Sequence, residues 1–339
     1  MAVPSGTLQT YQTIGNAEDF EDAVFMISPT ETPFLSMAKR KKADNRTHQW
    51  LTDELTPHTS GNAVIEGDDA GADTAIPAVN LRNQCQLMDK VAFVSNTQES
   101  VRSYGDVGSM AYQMKKRVKE LKRDLEAALL QNGAGTAGVA ASAALMAGLE
   151  SWLGYSGGQA ATIKTANGTS VQEGAAGTTP GFTTANGYPV AAPTDSTSTG
   201  SISEAIFKGA IANTYDNGGD PRVILVPPRT KSKISSSFAG IATRFREVKS
   251  RDQAQIIGGA DLYVSDMGEH VLKMDRFMRP SVLFGIDPDY ISVAFLQPIQ
   301  QKPLAITGHA DKRMVFCQAT LVVDNPFAHF KIADINPAK

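Results

Sequence analysis

Met110-Ala111-Tyr112-Gln113-Met114-Lys115-Lys116-Arg117-Val118-Lys119-Glu120-Leu121-Lys122-Arg123-Asp124-Leu125-Glu126-Ala127-Ala128-Leu129-Leu130 is the stretch from which the architecture is read. Met110, Met114, Val118, Leu121, Leu125 and Leu129 step by three or four and form one apolar stripe. Lys115, Lys116, Lys119, Lys122, Arg123 and Glu126 fill much of the remaining surface. The spacing predicts a helix over residues 106–132, stopped by Asn132-Gly133 and roughly 40 Å long at about 1.5 Å per residue. So narrow a stripe on so long a helix suits a rod laid across a sheet better than a member of a bundle.

On the N-terminal side of this helix, residues 46–105 read as an extended hairpin. Thr47 to Leu51 suits one strand and Gln84 to Val94 its return, with the acidic, glycine-containing tip Glu66-Gly67-Asp68-Asp69-Ala70-Gly71-Ala72-Asp73 between them. Connections inside a domain are typically about 4–6 residues, and a long hairpin that persists usually finds partners outside its own domain. Residues 1–45 read as an arm. Phe20, Val24 and Ile27 predict one short helix, Ser28-Pro29-Thr30-Glu31 breaks it, Thr32-Pro33 restarts a turn, and Lys39-Arg40-Lys41-Lys42 closes the segment. Pieces this small cannot make a core alone, so the arm is expected to lie on something else.

On the C-terminal side, alanine-rich Val139 to Leu153 predicts a second helix. Residues 154–203 then turn to Gly, Ala, Ser and Thr with three charges, Lys164, Glu173 and Asp195, and read as an insertion. Ser201-Ile202-Ser203-Glu204 is a capping box opening a helix to Asn217-Gly218-Gly219. Val223 to Val226 predicts a fully buried strand, followed by a helix near Lys231 to Ile241. Strands are expected at Leu262 to Val264, Val271 to Met274, Val282 to Phe284, Ile291 to Leu296 and Arg313 to Val323. The class is α+β, with a helix-bearing part at 133–260 and a return to both parts of the sheet structure over 261–339.

The bulk properties narrow the functions. In 339 residues, 42% are hydrophobic and 20% charged, which is ordinary globular composition, and the net charge of −3 lacks the basic surplus of a phosphate-gripping protein. Cys85 and Cys317 fit no zinc spacing and no disulfide framework, and read as two buried thiols of a reducing compartment. No secretory leader and no apolar run of ~20 residues is present, so a soluble protein made in a cytoplasm is expected, with no membrane partner.

No motif commits the chain to chemistry. Gly133-Ala134-Gly135-Thr136-Ala137-Gly138 has the dinucleotide-binding spacing, but a charged helix precedes it where that motif needs a strand. Glu66, Asp68, Asp69 and Asp73 lack the alternation of a calcium loop. Ser36-Met37-Ala38-Lys39 stands without the companion motifs of an acyl-enzyme, and His48, His58, His270, His309 and His329 show no metal spacing. The expectation is no enzyme, no cofactor and no metal. Lys115 to Arg123, and Arg229, Lys231, Lys233, Arg244, Arg246, Lys249 and Arg251, read as solvated faces or salt bridges between subunits rather than nucleic-acid contacts.

Taken in order, these elements resemble the major capsid proteins of tailed bacteriophages, with the fold named after the Hong Kong 97 phage. The likeness is carried by Ile27-Ser28-Pro29-Thr30-Glu31-Thr32-Pro33-Phe34-Leu35-Ser36-Met37, Trp50-Leu51-Thr52-Asp53, Glu66-Gly67-Asp68-Asp69-Ala70, Val94-Ser95-Asn96-Thr97-Gln98 and Glu120-Leu121-Lys122-Arg123-Asp124. It implies an N-terminal arm (1–45), an extended loop (46–105), a spine helix (106–132) on a peripheral sheet and an axial domain (133–260). It also implies self-assembly as pentamers and hexamers into an icosahedral head around double-stranded DNA, which the wall meets non-specifically. Portal, scaffold and decoration proteins are possible partners, and the protein would be assembled in the host cytoplasm and end in the virion. Some members crosslink neighbours through lysine and asparagine with a glutamate base; no motif assigns such a trio here. A bacterial nanocompartment shell of the same fold is the alternative, and a cytosolic enzyme a remote one. Subunit-interface candidates are Pro29, Glu31, Phe34, Trp50, Asp53, Glu66, Asp68, Asp69, Lys116, Lys119 and Arg123.

Overall fold

A computed structural model describes residues 28–53, 55, 58–69, 71, 78–101, 107–153, 167–170, 187–193, 200–238 and 261–336. The expected helix around Phe20, Val24 and Ile27, most of the 154–203 insertion, Asp73, and Arg244 to Arg251 lie outside them. In chain order the elements are α1 (Pro33–Met37), β1 (Lys39–Lys42), β2 (Thr47–Thr52), β3 (Val79–Gln84), β4 (Gln86–Ser95), α2 (Asn96–Ser100) and α3 (Met110–Leu130). There follow α4 (Leu149–Trp152), β5 (Asn167–Ser170), α5 (Glu204–Asp216), β6 (Val223–Val226), α6 (Pro228–Ser237), β7 (Leu262–Ser265) and β8 (Gly268–Met274). The chain closes with β9 (Leu283–Ile286), β10 (Ile291–Pro303), β11 (Ala310–Val323) and β12 (Phe330–Ala333).

Helix α3 starts where Ser109 accepts the Tyr112 N–H, satisfying one of the unpaired donors of a helix start. Its stripe then divides its work. Met110, Met114 and Leu121 pack on Ala92 and Val94 of β4 and Val315 and Cys317 of β11, so the first half lies across a sheet as the sequence predicts. That sheet has four strands in the order β1-β10-β11-β4. Leu125, Leu129 and Leu130 continue into a larger core with Trp152, Leu225, Phe284, Ile291 and Leu321. This core joins the first sheet to a second one of six strands, β5-β12-β9-β6-β8-β7. On the second sheet, Phe207 and Ile211 of α5 pack against Ile224, Phe330 and Ile332; α5 is capped by Ser203, whose hydroxyl accepts the Ile206 N–H, two residues past Ser201, which opens the expected box. Cys85 and Cys317 are free and buried, and burial pushes both thiols up to about 11.

Four expectations are corrected. Residues 28–45 are not a coreless arm: Phe34 and Leu35 are buried in the main core, and β1 pairs parallel with β10 from Lys39↔Ser292 to Lys42↔Phe295. The lysine run is tolerated because it is an end strand whose side chains all face solvent. The strand returning to β2 is β3, not residues 84–94, in the register Thr47↔Gln84 to Thr52↔Val79. After Cys85 the chain crosses over, and β4 pairs instead with β11. The alanine-rich segment 139–153 is helical only at α4, because the backbone folds back through the bridges Thr136↔Leu145 and Val139↔Ser142. A Cβ on Gly148 would lie 2.1 Å from the Gln131 carbonyl oxygen, so this close approach overrides alanine's helix preference. Last, α6 begins at Pro228 and β10 runs on to Pro303, both displaced from the expected bounds.

His329 is fully buried after a 3-10 turn at Pro326–Ala328, and its Nδ1 accepts the Asp287 N–H at 3.1 Å. Burial pushes its pKa down to about 4, against weaker opposing pulls from the Tyr290 backbone, Asp287 and Asp324. The unfolded chain therefore takes up this proton first. Stability is intact above about pH 6.5 and lost as pH falls toward 4, by roughly 3 kcal/mol in all. Urea melts between pH 7 and 4.5 should show that slope, and His329→Asn, which keeps an acceptor but cannot titrate, should flatten it. Equal slopes in the two proteins would remove His329 from the account.

Candidate assembly surfaces

At and beyond the end of the β2–β3 pairing, the hairpin carries apolar side chains that no described residue covers. Leu51, Leu55, Val64 and Ile65 are 72%, 91%, 84% and 78% exposed. The described part of the tip is a tight turn: the Asp68 N–H donates to the Ile65 carbonyl, Gly67 has φ 89°, and the Asp69 N–H donates to the Asp68 carboxylate. Glu66, Asp68 and Asp69 are all exposed there. Large apolar residues held in water on a narrow projection are unfavourable in an isolated subunit, and such clusters mark contact surfaces.

A second surface lies on the four-stranded sheet, on the face away from α3. Strand alternation sends Ala92, Val94, Val315 and Cys317 to the helix and their neighbours the other way. The register sets Phe93 beside Lys312, Val91 beside Met314, and Met314 beside Lys302. Phe93 is 64% exposed with the Lys312 ammonium 5.3 Å from its ring centre, and Leu87 is exposed on the same face. The result is an apolar strip flanked by two lysines.

The expected interface residues divide. Phe34 is fully buried inside its own subunit, which corrects its assignment to the surface. Trp50 is half-buried; its Nε1–H donates to the Val323 carbonyl at 3.0 Å and its ring lies 5.7 Å from that of Trp152, so it roots the hairpin in the body. Arg123 is half-buried with its guanidinium over the Phe277 ring at 5.5 Å. Pro29 is half-buried, while Glu31, Asp53, Glu66, Asp68, Asp69, Lys116 and Lys119 are exposed. Sequence reasoning missed the sheet strip, whose signal was the apolar character of both faces of residues 87–94 and 313–323. It also placed Glu126 on the polar side of α3, whereas Glu126 is fully buried and accepts the Phe34 and Leu35 N–H groups at 2.7 and 2.8 Å. No grouping of His, Cys, Asp and Glu that could hold a metal occurs among the described residues.

Comparison with known proteins gives three kinds of likeness. The family described as SU10 major capsid protein matches residues 5–336. The major capsid protein of Escherichia phage Phieco32 is 35% identical over 127 residues, which are 38% of this chain and 36% of that protein. The chain thus aligns with about a third of that relative's length. Among solved structures, the Cyanophage A-1(L) capsid is similar with a TM-score of 0.62 and 13% identity, over 96% of this chain and 98% of that one. The holo-SrpI encapsulin complex from Synechococcus elongatus PCC 7942 is similar at 0.55 with 8% identity, over 96% and 94%. At such identities the structures share a fold, the α+β fold of phage capsids, and the encapsulin complex shares it too.

Proposed function

The chain belongs to the family of SU10 major capsid proteins, and we propose that it is the subunit that builds the icosahedral head of a tailed phage by binding copies of itself. The observation that carries this reading is the hairpin, whose exposed Leu55, Val64 and Ile65 have no cover among the described residues. Ordering such a projection costs conformational entropy, which burial on a neighbour offsets; obligate interfaces of about 2,000–5,000 Å² have ample area for it. A shell of identical chains repeats one head-to-tail contact many times. The hairpin fits this contact because it can adjust between five-fold and six-fold rings while the two sheets stay rigid. In this reading the apolar tip lies on a neighbour's apolar patch, with Glu66, Asp68 and Asp69 facing lysines. The strip around Phe93, with Lys302 and Lys312 beside it, has the matching chemistry. Pro29, Glu31 and Asp53 border the same contacts, while Lys116 and Lys119 serve as a solvated or inter-subunit face of α3. Assembly would take place in the host cytoplasm around or ahead of double-stranded DNA, with portal, scaffold or decoration proteins joining the shell. No catalytic step is assigned.

Expression of the full chain followed by negative-stain microscopy tests this. Closed shells or rings are expected; a monomer that persists at high concentration across salt conditions would overturn it. Charge reversal tests the tip. Asp68→Lys with Asp69→Lys should raise the concentration needed for assembly roughly two- to thirtyfold, given about 0.2–1 kcal/mol per exposed ion pair, and should change its salt dependence. An unmoved midpoint would make the tip mere solvated surface. The nanocompartment reading shares the fold and predicts a cargo enzyme inside particles from the native host; empty or DNA-filled particles separate the two.

A further inference from the structure

We propose that the outward face of α3 is a contact for duplex DNA, made by Lys115, Lys116, Lys119 and Lys122, and that the helix side of the four-stranded sheet is the inner side of the shell wall. All four lysines are exposed. At about 3.6 residues per turn they fall within about a third of the helix circumference, on the side away from Met110, Met114 and Leu121, which face the sheet. They span about 10 Å of helix axis, or three base-pair steps of a duplex at about 3.4 Å each. Two features displace the reading of this row as a merely solvated or inter-subunit face: its charge is not neutralised, and it offers no apolar anchor.

Elsewhere Lys39, Lys41, Lys42, Lys90, Lys208 and Lys231 each have a carboxylate partner. Lys115, Lys116 and Lys122 have none among the described residues. The three acids of α3 are engaged elsewhere. Glu120 pairs with Arg117 and Asp124 with Lys90, while Glu126 is buried and accepts the Phe34 and Leu35 N–H groups. A chain of net charge −3 thus collects uncompensated positive charge on one helix face.

The occupant follows from what that face lacks. The exposed residues of α3 are Ala111, Lys115, Lys116, Lys119, Lys122 and Asp124. Protein interfaces are built on large apolar or aromatic anchors and are depleted in lysine. A polyanion needs no such anchor, because each ammonium placed beside a phosphate releases a condensed counterion. Lysines act there as point charges on flexible stems, which hold phosphates without fixing a register. The acidic hairpin tip is the competing anion within this molecule. It carries Leu55, Val64 and Ile65, however, which would gain no apolar cover on α3. The apolar strip around Phe93 can cover them, and it lies on the opposite face of the sheet. The assignment of an inner side rests on the shell reading; the contact with DNA does not.

A short labelled duplex of mixed sequence, titrated with unassembled full chain over a range of sodium chloride, tests the contact by fluorescence anisotropy. The logarithm of affinity should fall against the logarithm of salt with a slope of about −3 to −4, given about 0.9 per phosphate neutralised. Replacing all four lysines (Lys115→Gln, Lys116→Gln, Lys119→Gln, Lys122→Gln) keeps the helix propensity. It should make the slope shallower by about three and weaken low-salt binding at least about tenfold. Lys115→Gln with Lys122→Gln should give about half that change in slope and serves if the fuller variant misfolds. Lys302→Gln with Lys312→Gln, in the strip, should alter neither quantity. Closed shells of the parent should leave added duplex unbound. A flat parent titration, or an unchanged slope in a folded variant, would overturn the contact. So would a folded fourfold variant that no longer assembles, since the row would then be a salt-bridge surface between subunits. Closed shells that bind added duplex through these lysines would overturn the inner side. Failure of the parent to form shells counts against the shell reading and leaves the titration intact.

Discussion

Replacing residues 53–78 by Asn-Gly, so that a two-residue turn joins Thr52 to Val79, is expected to abolish shells while leaving the body folded. Thr52 and Val79 already face each other at the end of the β2–β3 register, which is the geometry a two-residue turn closes. The side chains removed include Leu55, Val64 and Ile65, none of which is covered among the described residues, so folding loses little and a shorter loop costs less entropy to close. Assembly, by contrast, loses the whole projecting contact at every repeat of the interface. Circular dichroism and urea unfolding should match the parent, and microscopy should show only small oligomers. Normal shells from this variant would take the hairpin out of the assembly mechanism.

Phe34→Ala should destabilise the subunit by about 3–5 kcal/mol, as for other fully buried aromatic truncations. Phe34 is 0% exposed and sits among Leu125, Leu129 and Trp152. Glu31→Ala, three residues away and exposed, should stay within about 0.5 kcal/mol. Denaturant melts of the two variants measure the difference. A loss below about 1 kcal/mol for Phe34→Ala would mean that residues 28–42 are an appendage after all.

These two results bear on what can be read from the sequence. Helix α3 was legible because its periodicity runs for 21 residues. Strand β6 was legible as an unbroken apolar run, and α5 by its stop at Asn217-Gly218-Gly219, although its cap is Ser203 rather than the Ser201 that opens the expected box. The seat of Phe34 was not, since a helix of five residues has no period to detect and is fixed by Glu126, 92 positions away. Composition also favoured the wrong partner for β2. Residues 86–95 are more apolar than Val79-Asn80-Leu81-Arg82-Asn83-Gln84. Yet Asn83 is buried because its amide bonds the Ala147 and Leu321 backbones. Such a partnership becomes visible only once distant segments are in place. The hairpin tip could be found early, because nothing near it in sequence could make a core. The sheet strip could not, because strands apolar on both faces read equally well as fully covered.

The open edge of the four-stranded sheet has a further consequence. β1 ends that sheet among the described residues, and its four side chains, Lys39, Arg40, Lys41 and Lys42, point outward. Asp289, Asp324 and Asp44 neutralise three of them locally. An unguarded strand margin invites any second copy to add itself through backbone hydrogen bonds, and crowded identical chains are most exposed to that error. Two such margins brought together would have to desolvate or break those three ion pairs and set one Arg40 against another. Self-recognition is thereby refused where it would be indiscriminate, and copies are left to meet through their shaped surfaces.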